Sequence, residues 1–177
     1  MCTELKEITP LLAGGIGASA TLIAVIVTSF FNLRVARLNI EAQSHQKVKE
    51  LKLEKLEELF FLFDKWQLNF SNIYLFYFRS YRGKLTHSQV IELVKELKLL
   101  APGEAQKYRM IIDIYFPALV QAYVPVEEAR KRLVPFLSDP SVSKLSTQEF
   151  ERHQVAFEEV CKDFKSKISS LAYETLG

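Results

Sequence analysis

Residues 11–33 read LLAGGIGASATLIAVIVTSFFNL, a run without a single charged side chain. Eleven strongly apolar side chains stand in it: Leu11, Leu12, Ile16, Leu22, Ile23, Val25, Ile26, Val27, Phe30, Phe31 and Leu33. Each favours entry of a helix into lipid by roughly 0.3–0.6 kcal/mol when centrally placed, which totals about 3–7 kcal/mol. Glycines and polar residues such as Thr21, Thr28 and Asn32 subtract from that gain, but no charge cancels it. At a rise of about 1.5 Å per residue the run extends about 34 Å, enough for a hydrocarbon core of about 30 Å. The expectation is a transmembrane helix over residues 10–33 behind a short tail, residues 1–9. A cleaved leader is disfavoured, because Glu4, Lys6 and Glu7 do not form a basic start and no small-x-small site follows Leu33.

Basic residues flanking a span stay on the cytoplasmic side. Lys6 alone precedes this one, whereas Arg34, Arg37, Lys47, Lys49 and Lys52 follow it closely. The N-terminus is therefore expected outside the cell or inner membrane, and the body of the chain in the cytoplasm. Arg34 and Arg37 are placed to meet anionic headgroups, worth on the order of 1 kcal/mol each. Small residues crowd the first half of the run, with Gly14 four residues from Ala18 and Gly17 four from Thr21. That spacing lets helix backbones approach closely, so self-association through the span is a second expectation.

Beyond the anchor, one domain is the natural reading of what remains. Leaving out Lys6, Glu4 and Glu7, 22 basic residues face 19 acidic ones, which is no nucleic-acid signature. Cys2 and Cys161 are predicted on opposite sides of the bilayer and cannot bridge within the chain; Cys161 reads as a small buried apolar residue.

Helical periodicity runs almost throughout, and no turn-bounded β pattern competes with it. Residues 34–55 form a polar juxtamembrane stalk, and no glycine or proline interrupts residues 18–82. Leu56, Leu59, Phe63, Trp66, Phe70, Ile73 and Tyr77 then step by threes and fours, a heptad-like, coiled-coil seam. The stretch 59–81, LFFLFDKWQLNFSNIYLFYFRSY, holds ten aromatics on more than one face, as in a central buried helix. Phe60, Phe61, Phe76 and Phe78 lie off the seam, and the less favoured alternative turns them toward a partner or the lipid interface.

Gly83 ends that helix, and Thr86 with Gln89 forms a capping box for the next. The turn at Pro102 and Gly103 leads to a helix carrying Ala105, Tyr108, Ile112, Tyr115, Leu119 and Ala122, which Pro117 is expected to kink. Pro125 is expected to open a further piece over 126–137, with a loop over 138–144. Ser146 and Glu149 repeat the capping-box pattern ahead of a last helix with Phe150, Phe157, Val160, Phe164, Ile168 and Leu171 on one side. The predicted fold class is all-α: a single N-terminal transmembrane helix, a long stalk helix, and an antiparallel bundle of about four helices over 56–177.

Chemistry-bearing patterns are missing from the sequence. His45, His87 and His153 lack partners at ligand spacing, and no phosphate loop or nucleophile elbow occurs. No catalytic, cofactor or metal residues are expected, and the chain is not read as an enzyme. Arg130, Lys131 and Arg132 form a basic trio that would suit an acidic partner, although a solvated helix face is the commoner meaning. The functional expectation is a membrane-anchored, non-enzymatic helical module that presents its bundle to a partner protein. The alternative is a membrane effector of toxin or defence type, whose span oligomerises and permeabilises the bilayer.

Overall fold

A computed structural model describes residues 4–97 and 100–176, with side chains from Thr21 onward except Ile23. All regular structure among them is helical: α1 (Glu4–Tyr81), α2 (His87–Glu96), α3 (Glu104–Tyr115), α4 (Ala118–Leu133), a 3₁₀ turn (Val134–Phe136), α5 (Pro140–Ser143) and α6 (Thr147–Leu176). Contacts divide the chain into two units, one ending at Val48 and the other beginning at Lys49.

The first unit belongs to α1. Every described side chain from Thr21 to Gln46 is exposed, including Phe30 at 76% and Phe31 at 68%. Thr28 returns its hydroxyl to the Ala24 carbonyl at 2.7 Å, the usual way a helix hides a polar side chain on its own backbone. No helix among the described residues is long and apolar enough to cross a membrane. Of the expected span 11–33, the side chains of 11–20 and 23 lie outside the described ones, and the proposed contact residues Gly14, Gly17 and Ala18 lie there with them.

The second unit holds the core. Leu56, Leu59, Phe63 and Trp66 of α1 are buried against Tyr108 and Ile112 of α3, Tyr123 and Val126 of α4, and Phe157, Phe164 and Ile168 of α6. Burying one such side chain contributes roughly 1.5–3 kcal/mol, so a core of this breadth dominates the domain's stability. Phe63 is its hub, with ring centroids at 4.8 Å from Phe164, 5.5 Å from Trp66 and 6.0 Å from Tyr108. Cys161 is buried with it, as expected, and the loss of solvent pushes its thiol pKa up to about 12.

Local chemistry explains the element ends. Gly83, at φ +67°, lets its N–H reach the Ser80 carbonyl while the Lys84 N–H reaches Arg79, the two bonds of a Schellman ending for α1. Thr86 and Gln89 complete the anticipated capping box at α2. The N–H of Glu149 bonds Ser146 Oγ at 3.4 Å ahead of α6.

Two prolines act differently from expectation. Pro117 does more than kink a helix: it separates α3 from α4 and sits at the N-cap of the latter. Pro125 does not start a piece but lies inside α4. Its missing N–H forfeits one backbone bond, yet Leu119, Tyr123, Val126, Ala129 and Leu133 keep a single buried stripe on both sides of it. Burial of that stripe outweighs the lost bond. The expected loop 138–144 contains α5, capped by Asp139, whose carboxylate accepts from the Ser141 N–H at 2.9 Å.

Candidate functional site

α1 and α6 lie side by side in opposite directions, as three contacts along their length show. Lys49 Nζ donates to the Leu176 carbonyl at 2.7 Å, Lys165 pairs with Asp64 at 2.7 Å, and Arg82 meets Glu151 at 3.4 Å. Between the first two contacts the helices part into a groove of about 520 Å³. Leu53, Leu56, Glu57 and Phe60 line it from α1; Ile168, Ser169, Ala172, Tyr173 and Leu176 line it from α6.

The spacing of these residues makes the groove. Positions 53, 56, 57 and 60 repeat at three and four residues, so they lie on one face over two turns, and 169, 172, 173 and 176 do the same opposite them. Leu56 and Ile168 belong to the core and form the floor. Phe60, Tyr173 and Leu176 stand exposed as walls, Tyr173 at 75%. Lys49 closes the end by satisfying a last-turn carbonyl of α6, one of the groups a helix leaves unbonded. The wall is concave and mostly apolar, with Glu57 its one carboxylate.

The opposite flank of α1 is held by charge. Glu58 accepts from both Lys107 and Lys55, and these partners, Lys107 foremost, hold its carboxyl below the usual range. Lys65 reaches Glu104 at 2.7 Å, and Glu104 also accepts from the Ala101 N–H, so that carboxyl is lowered as well. These bonds join α1 to the start of α3.

The basic trio is not one patch. A helix turns about 100° per residue, so three consecutive side chains point three ways. Arg130 is half-buried with its guanidinium 5.7 Å from the Phe70 ring, Lys131 bonds Glu128 at 2.8 Å along the helix, and Arg132 is exposed. Arg34 and Arg37 are exposed on α1. No three His, Cys, Asp or Glu side chains among the described residues are grouped to hold a metal. The three histidines stay apart: His153 lies 3.9 Å from Glu149, and His87 lies beside the Tyr77 ring.

Sequence reasoning reached Phe60 only as an off-seam aromatic and missed Tyr173 and Leu176. Their signal was available: Ile168, Ala172 and Leu176 recur at four-residue steps and extend the α6 stripe past Leu171. Which stripe on α1 lay opposite was not legible. A comparison of the chain with protein-family models, curated proteins and solved structures found no match.

Proposed function

We propose that the chain is a membrane-anchored, non-enzymatic interaction module: residues 11–33 sit in lipid, and the helical domain, read as an antiparallel four-helix bundle, presents its α1/α6 groove to a partner protein. The observation that carries the reading is the exposure of Leu22, Val25, Ile26, Val27, Phe30, Phe31 and Leu33, seven large apolar side chains within twelve residues of one helix. So dense an apolar surface favours an apolar surrounding, and an uncharged run the length of residues 11–33 matches a bilayer. Arg34 and Arg37 at its end support a cytoplasmic position for the domain. The groove supplies the second half of the proposal, since it offers a ready face for an amphipathic helix.

Two measurements test it. Full-length chain should stay in the pellet after alkaline carbonate washing of membranes, and Val25→Asp with Ile26→Asp should release it. A photo-reactive phenylalanine analogue in place of Phe60 should give one dominant cross-linked protein in cells, while the same analogue at exposed Val142 should not. Recovery of the unaltered chain in the soluble fraction would overturn the anchor; identical adduct patterns from Phe60 and Val142 would overturn the groove.

A further inference from the structure

Next to the groove, the outward face of α1 carries a narrow stripe that the core does not use. Phe61, Leu68 and Leu75 follow one another at seven-residue steps and are exposed at 66%, 51% and 37%. Glu57 and Arg79 lie beyond them, each 11 residues from Leu68 and both exposed. Neither has an ion pair among the described residues that the structure gives. At about 100° per residue all five side chains fall within about 20° of the direction of Leu68. The stripe is therefore symmetric about Leu68 in position and shape, and antisymmetric in charge: acid on one side, base on the other.

That pattern is self-complementary only when reversed. We propose that this face of α1 pairs antiparallel with the same face of a second copy, about a two-fold axis at Leu68. Leu68 then meets its own counterpart, Phe61 meets Leu75, and Glu57 meets Arg79, twice over by symmetry. A parallel pairing would set Glu57 against Glu57 and Arg79 against Arg79, which like-charge repulsion disfavours. Asp64 does not compete, because Lys165 of its own chain holds it at 2.7 Å. One helix face buries little area, so the pair is weak and forms with rising concentration. The pairing goes beyond the module reading and competes with it at two points: Glu57 also lines the groove, and copies inserted the same way in one bilayer favour a parallel pair, so the antiparallel pair belongs to copies that do not share a bilayer.

Disulfide trapping of the full-length chain tests the register, in detergent, where no shared bilayer sets the direction of either copy. The background is Cys2→Ser; Cys161 is buried and stays out of reach. With copper–phenanthroline as oxidant, Leu68→Cys should shift to a band at twice 20.4 kDa. Phe61→Cys alone should not, whereas Phe61→Cys mixed with Leu75→Cys should. Adding Glu57→Arg should lower the Leu68→Cys yield by about three- to ten-fold, and Arg79→Glu in the same chain should restore it. Circular dichroism of each variant should be unchanged, since all these positions are exposed. A Phe61→Cys self-cross-link as strong as that of Leu68→Cys would show a parallel pair and overturn the proposal. So would a Leu68→Cys chain that stays monomeric, or a charge swap that fails to restore the yield.

Discussion

The hydroxyls of Tyr108 and Tyr123 lie 2.6 Å apart in the buried core, a polar link between α3 and α4 among packed aromatic rings. Both residues are almost fully buried, and desolvation raises both phenol pKa values, so the pair stays protonated across the working pH range. Each hydroxyl answers the other's need for a partner in a place water does not reach.

The costs of removing the two hydroxyls should therefore not add. Tyr123→Phe strands the Tyr108 hydroxyl and is expected to lower stability by about 1–3 kcal/mol. Tyr108→Phe combined with Tyr123→Phe should cost less than the sum of the two single changes. Urea unfolding followed by circular dichroism measures all three.

Two neighbouring phenylalanines on α1 should behave oppositely. Phe63 is fully buried at the aromatic hub, so Phe63→Ala is expected to cost about 3–5 kcal/mol through lost burial and the cavity left behind. Phe61 is 66% exposed, so Phe61→Ala should stay within about 0.5 kcal/mol of the parent at concentrations where the chain is monomeric. The comparison of unfolding midpoints decides it.

Acid should loosen the α1–α3 contact. Lysine partners depress the folded-state pKa of Glu58 and Glu104 below the unfolded value, so the folded state binds fewer protons there than the unfolded one. Their stabilisation is complete above the ordinary carboxylate pKa, about 4.3, and is lost as pH falls through the depressed values. The urea midpoint should drop between about pH 5 and pH 3. Glu58→Gln with Glu104→Gln should flatten that part of the profile, and an unchanged slope would refute the assignment.

Thiol chemistry should report folding. With its pKa pushed up to about 12 and no exposed surface, Cys161 should react with a maleimide at pH 7.5 more than about a thousand-fold slower than an ordinary thiol. Cys2→Ser chain should thus take up no label when folded and one label in urea, as mass spectrometry would show.

The α1 seam shows how far periodicity carries and where it fails. Leu56, Leu59, Phe63 and Trp66 are buried as the three-and-four spacing predicts. Further along, Tyr74 is fully buried while Ile73, the seam's choice, is only half so. A seven-residue repeat drifts about 20° per heptad on a straight helix; Tyr74, 18 residues or about five full turns past Leu56, faces as Leu56 does, whereas Ile73 is turned about 100° from it. The capping box at Thr86 and the ending at Gly83 were legible for the opposite reason: they are settled within four residues of chain.

By itself the sequence determined what local chemistry controls: an all-helical chain, where several helices start and stop, a burial stripe on each long one, and an uncharged apolar run near the N-terminus. Only the tertiary structure decided that α4 runs through Pro125, that the basic trio is dispersed, and that α1 and α6 enclose a groove walled by Phe60, Tyr173 and Leu176. Those outcomes depend on which surfaces meet across more than a hundred residues of chain, and the energy of such meetings is a property of packed pairs that no single helix's pattern contains.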